Sequence, residues 1–115
     1  VAAATAYVSP RSEIGEGCMI FHHAVIYSQV RVGMNCIINS TALLEHDAEV
    51  GDHTHISTGV IVNGQCSIGT GCFLGSGSVI REGVRIGADC VLGMGAVVLI
   101  DVEAGTRYVS ARASI

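Results

Sequence analysis

The 115-residue sequence has no tryptophan, no lysine, a single proline and only five aromatic residues. Without lysine, Schiff-base chemistry is excluded, and so is a polybasic anchor on lipid. Six arginines stand against ten acidic residues, a net charge of −4, which supplies no basic stripe for nucleic acid. No apolar run approaches the ~20 residues that a membrane span needs. The opening Val-Ala-Ala-Ala lacks the basic start and long apolar stretch of a secretion signal. With no initiator Met, the chain is expected to be a processed or excised piece. Few aromatics in a chain that is half hydrophobic mean a core of aliphatic and small side chains. Fifteen glycines without a triplet period point to a turn-rich repeat rather than disorder.

What is present is a six-residue rhythm. Val8, Ile14, Ile20, Ile26, Val32, Ile38, Leu44, Val50, Ile56, Val62, Ile68, Leu74, Ile80, Ile86, Leu92 and Val98 recur without insertion. Four residues after each stands a small or β-branched one, from Ser12 and Cys18 to Ala96 and Val102. Six does not fit the 3.6 period of a helix and is too short for a helical repeat. It fits a parallel β-helix, in which short strands stack coil upon coil. Gly15, Gly33, Gly51, Gly69 and Gly87 are eighteen apart, so three hexads make one coil. The expected fold is all-β, a triangular prism of about five three-hexad coils. Residues 1–7 form a lead-in, 8–103 the β-helix, and 104–115 a short C-terminal tail that covers its open strand edges.

The same period reads the outside of the prism. One outward column runs Met19, Ile37, His55, Phe73, Val91, and a second runs Tyr7, Val25, Leu43, Ile61, Val79, Val97. The third, Glu13, Arg31, Glu49, Ser67, Arg85, Glu103, stacks opposite charges between coils. Two apolar stripes on a polar prism imply an interface, and two different sticky faces favour a contact that closes as a ring. A homotrimer is expected. All five cysteines fall on the small-residue position; they read as buried, reduced thiols, which fits a reducing cytoplasm.

One stretch has no role in the packing code. His46 sits at a corner between Glu45 and Asp47, either of which could fix its tautomer and raise its basicity. The free ring nitrogen could then take a proton from a hydroxyl or amine. His55 is the one ionisable member of an apolar column. His46 and His55 cannot meet within one chain, but a neighbouring subunit could bring them together. His22, His23 and His53 read as exposed turn residues.

The hexads resemble the hexapeptide-repeat, left-handed β-helix family; the left hand follows from that resemblance, against the general right-handed rule for parallel crossovers. Within it, Glu45-His46-Asp47-Ala48-Glu49-Val50-Gly51-Asp52 followed by His55-Ile56-Ser57 is similar to the motif of the sialic-acid O-acetyltransferases and UDP-amino-sugar N-acetyltransferases. The resemblance implies an acetyl-CoA-dependent acetyltransferase acting on a hydroxyl or amine of a sugar or nucleotide-sugar. It implies His46 as general base with Asp47 and Glu45 beside it, His55 in contact with acetyl-CoA, and the Gly64 amide on the thioester oxygen. Ser76 and Met94 would line the pantetheine channel. Relatives carry a small nucleotide-fold domain ahead of the prism, which binds the sugar. Zinc-dependent carbonic anhydrases on this prism carry two histidines five residues apart; no pair here has that spacing, so no metal is expected. The competing class is a non-catalytic trimerisation or binding module.

Overall fold

The computed structural model describes residues 1–109. Seventeen two-residue strands form a parallel-strand β-solenoid of about six turns, the form expected of a left-handed β-helix. The first face stacks Tyr7–Val8, Val25–Ile26, Leu43–Leu44, Ile61–Val62, Val79–Ile80 and Val97–Val98. The second stacks Glu13–Ile14, Arg31–Val32, Glu49–Val50, Ser67–Ile68 and Arg85–Ile86. The third stacks Met19–Ile20, Ile37–Ile38, His55–Ile56, Phe73–Leu74, Val91–Leu92 and Arg107–Tyr108. Among the described residues no helix is long and apolar enough to cross a membrane.

Two inward seats per hexad explain why the repeat folds. The aliphatic seat and the small seat four residues on are both buried from Cys18 to Val98, and each buried Ile, Leu or Val contributes ~1.5–3 kcal/mol. Three residues after each aliphatic, from Gly17 to Gly95, the backbone enters the left-handed region at φ between 56° and 77°. That turn bends the chain from one face to the next. The glycine column Gly15, Gly33, Gly51, Gly69 and Gly87 serves another purpose. A Cβ on Gly51 would lie 2.6 Å from the Thr70 nitrogen, and one on Gly69 would lie 2.5 Å from the Ala88 nitrogen. These glycines let neighbouring coils close on each other.

All five cysteines are free and buried. Cys18, Cys36 and Cys72 each donate Sγ–H to a glycine carbonyl of the following coil, at 3.0, 3.1 and 3.2 Å, and Thr54 does the same at 2.9 Å. Burial pushes the Cys36 thiol up to about 11 and raises those of Cys66 and Cys72, so these remain thiols.

The ends depart from the hexad reading. Ala2 pairs with Ile20, and the N-terminal amine donates to the Cys18 carbonyl at 2.8 Å, so residues 1–7 already lie in register on the first coil. At the other end the ladder continues past Val102. Val102 pairs with Ile86 and Tyr108 with Leu92, a step of sixteen instead of eighteen. The corner after Val98 is two residues short, so Val102 occupies the aliphatic seat and Tyr108 the next. The slip also corrects the charged column. Asp101, not Glu103, adjoins Arg85, its Oδ1 accepting the Arg85 N–H at 2.9 Å. Among the described residues that column holds one ion pair, Arg31–Glu49 at 3.1 Å. The rest of the expected tail, 110–115, lies outside the described residues.

Candidate active site

The corner between the first and second faces in the third coil is Glu45-His46-Asp47-Ala48. Leu44 and Ala48 are its buried anchors. Asp47 takes the left-handed turn at φ 64, a conformation an aspartate tolerates better than most side chains. The turn leaves the His46 ring and the Asp47 carboxylate exposed and side by side. His46 Nδ1–H donates to Asp47 Oδ2 at 3.0 Å. Of the two flanking carboxylates, Asp47 alone pairs with the ring among the described residues; Glu45 is half-buried beside it. With Nδ1 as the donor, Nε2 of the neutral ring carries the lone pair.

Gly64 lies one coil further on, in the column of His46. A Cβ there would be 3.1 Å from Cε1 and 3.3 Å from Nε2 of His46. Gly64 is outside the left-handed region, so it is glycine to make room for the imidazole. Its carbonyl accepts from the Gly83 N–H at 3.0 Å, and the His46 carbonyl accepts from the Gln65 N–H at 3.1 Å. The Gly64 N–H has no acceptor among the described residues.

His55 projects from the third face. Its ring meets Phe73 edge-on, with centroids 5.1 Å apart and planes at 85°. Nε2 is buried without a hydrogen-bond partner among the described residues, and burial lowers the pKa, so the ring is held neutral. Ser76 and Met94 stand at the corner between the third and first faces, stacked on each other: the Gly95 N–H donates to the Ser76 carbonyl at 2.8 Å, and Met94 is 83% exposed. Within one chain the fold therefore joins His46, Asp47 and Gly64. It sets His55, Ser76 and Met94 on other sides of the prism.

The remaining histidines are turn residues. His22 Nδ1 and Thr5 Oγ1 are 3.0 Å apart, while His23 and His53 occupy left-handed turn positions. A shallow hollow of about 460 Å³ over the second face, lined by Glu13, Arg31, Glu49 and Asp52, does not include His46. The His46 corner is convex and exposed, with one wall of a site and not two. Periodicity did not single out Tyr27, which begins the same corner one coil earlier and meets Tyr7 with ring centroids 6.4 Å apart.

The family profile described as the GMPPB C-terminal domain matches residues 2–110. No curated protein matches this sequence. Among solved structures, the chain is similar to PerB from Caulobacter crescentus in complex with CoA and GDP-perosamine. Identity is 35% and the TM-score 0.88, covering 90% of this chain and 51% of that one. It is also similar to the acetyltransferase domain of PglB from Neisseria gonorrhoeae, with 30% identity and TM-score 0.90 over 92% of this chain and 52% of that one. That domain in complex with acetyl coenzyme A matches at 31% identity and TM-score 0.89, over 91% and 52% of the two chains. The chain thus spans about half the length of these relatives. AntD, an N-acyltransferase from Bacillus cereus, shares the fold at 15% identity, with TM-score 0.79 over 89% of this chain and 71% of that one.

Proposed function

The chain belongs to the GMPPB C-terminal domain family, with hexapeptide-repeat acyltransferases as its structural neighbours, and on that footing we propose that it transfers acetyl from acetyl-CoA to a hydroxyl or amine of a sugar or nucleotide-sugar. The observation that carries the reading is the His46–Asp47 pair, Nδ1 to Oδ2 at 3.0 Å, with the imidazole lying over Gly64 of the next coil. The bound CoA, GDP-perosamine and acetyl-CoA of relatives at 35% and 31% identity support the chemistry.

Asp47 holds the Nδ1 proton and favours the imidazolium that forms, while Nε2 accepts the proton of the attacking hydroxyl or amine. The Gly64 N–H points its dipole at the oxygen that gains charge. Acetyl-CoA supplies the acyl group and leaves as the free thiol. No nucleophile of the protein is required, in keeping with cysteines that are buried and hydrogen-bonded. Ser76 and Met94 flank the pantetheine arm, and neutral His55 contacts the cofactor from the third face.

The site is completed between subunits of a homotrimer. Support comes from the convexity of the His46 corner and from the half-exposed apolar stripes of the first and third faces, which include Tyr7, Val97, Met19 and Phe73. The free thiols support a reducing, cytoplasmic setting. Calorimetric titration with acetyl-CoA, with the mass in solution followed by light scattering, tests both points. The expected result is one site per chain in a trimer. A well-formed trimer that ignores acetyl-CoA overturns the enzymatic reading, and a monomer overturns the inter-subunit site.

A further inference from the structure

The corner column that carries His46 continues through Gly64 to Glu82. The Gln65 N–H donates to the His46 carbonyl at 3.1 Å, and the Gly83 N–H donates to the Gly64 carbonyl at 3.0 Å. Those two bonds stack His46, Gly64 and Glu82 on successive coils. The His46 ring leans over Gly64, its Nε2 3.3 Å from where a Cβ would stand. The middle rung has no side chain, so it leaves a notch with the imidazole on one side and Glu82 on the other. With coils ~4.8 Å apart, the Glu82 Cβ lies within about 8 Å of Nε2. The carboxylate oxygens extend roughly 3.5 Å beyond that Cβ, which brings them to about 5 Å from Nε2. A ligand atom hydrogen-bonded to both groups at ~2.8 Å spans such a gap. Glu82 is exposed and joins neither ion pair found among the described residues, Arg31–Glu49 and His46–Asp47. It fills no core position either, since the inward seats of its hexad belong to Ile80 and Val84.

We propose that Glu82 is the residue that reads the acceptor's charge, holding a sugar ammonium in the Gly64 notch against His46. The inference rests on the acetyl transfer argued above. Near neutral pH a sugar amine is largely the ammonium form, which has no lone pair to attack with. It must lose two protons on the way to the amide, and neutral His46 can take one. The first passes from the ammonium to the Glu82 carboxylate and on to solvent. The freed lone pair then forms the bond to the thioester carbon, and the carbon–sulfur bond breaks. Nε2 takes the second proton and returns it to the departing CoA sulfur. The sum is one amide, one free thiol and one proton released. A hydroxyl acceptor has a single proton to lose and no charge for Glu82 to hold. The carboxylate therefore favours amino sugars over their hydroxyl counterparts.

Ligand-observed NMR titration tests the notch without turnover, using the methyl glycosides of 2-amino-2-deoxyglucose and 4-amino-4-deoxyglucose, with methyl glucoside as the hydroxyl control. Wild type is expected to bind one of the amines about tenfold more tightly than the control. Glu82→Gln is expected to lose that preference and Glu82→Asp, which keeps the charge, to retain part of it. Acetyl-CoA affinity and mass in solution are expected to stay constant throughout. A wild type without the preference, or a Glu82→Gln that keeps it, overturns the proposal. A loss accompanied by a change of mass also overturns it, because Glu82 would then belong to a subunit contact. A wild type that holds the amine through Glu82 and never acetylates it leaves the notch standing and removes the enzyme. Acetylation of the amine at an undiminished rate by Glu82→Gln removes the notch and leaves the enzyme.

Discussion

The corners of Gly51 and His46 flank the same strand, Glu49–Val50, and make the same kind of turn, yet each uses a missing side chain differently. At Gly51 an added Cβ would strike the next coil's backbone, 2.6 Å from the Thr70 nitrogen and 2.8 Å from the Gly69 carbonyl carbon. At Gly64 its nearest neighbours are Cε1 and Nε2 of the His46 ring, at 3.1 and 3.3 Å, with the His46 carbonyl oxygen also at 3.3 Å. One glycine lets the solenoid close; the other seats an imidazole. A repeat that dictates the backbone leaves the outer side chains free, so chemistry can be added at one corner without disturbing the next.

The sharpest way to break this contrast is His46→Ala. Transfer is expected to fall by a factor of about 10²–10⁴, read as CoA thiol release, with acetyl-CoA binding and the denaturation midpoint unchanged. Activity within tenfold of wild type would mean the corner carries no base. A paired substitution of the two glycines comes next. Gly51→Ala is expected to cost about 1–3 kcal/mol of stability in denaturant titration and to leave the per-molecule rate of the folded fraction intact. Gly64→Ala is expected to cost under about 1 kcal/mol, because the His46 ring can move, and to slow transfer by about tenfold. The reverse pattern would erase the distinction between the corners.

Asp47→Asn probes the His46 corner more gently. Asparagine tolerates the left-handed turn, so the fold is expected to hold. Removing the charge behind Nδ1 is expected to slow transfer by about tenfold. An unchanged rate would make Asp47 a turn residue only. The smallest expected effect concerns His55. Burial lowers its folded-state pKa, so between that value and ~6.5 the unfolded chain binds the extra proton. Stability is then complete above that window and falls as pH drops through it. Denaturation of wild type and His55→Phe at two pH values checks the sign: the variant is expected to lose part of the acid sensitivity.

Most of the prism was legible because one hexad carries its own instructions: the inward aliphatic, the left-handed turn and the small seat are all local. The slip after Val98 was hidden by those rules. Val102 stands four residues after Val98, where the small seat is due, and a valine suits the aliphatic seat equally well. Only strand pairing shows which one it fills. At the site, the eighteen-residue column related Gly64 to His46, and adjacency related Asp47 to it. Which carboxylate takes Nδ1 depends on the turn dihedral of Asp47 and on rotamers, which no periodicity encodes. The Tyr7–Tyr27 contact was missed because it runs diagonally between a strand and a corner instead of down a column.

The thiols hydrogen-bonded between coils have a use beyond holding them together. Cys18, Cys36, Cys66, Cys72 and Cys90 are strung along the axis from near one end to near the other, all buried. A thiol reagent therefore meets closed doors in the native chain, and each sulfur becomes reactive when its own coil opens. The order in which the five are labelled is a clock written into the solenoid. Labelling that begins at Cys90 would mean the prism frays from its two-residue slip; labelling that begins at Cys18 would mean it unwinds from the first coil.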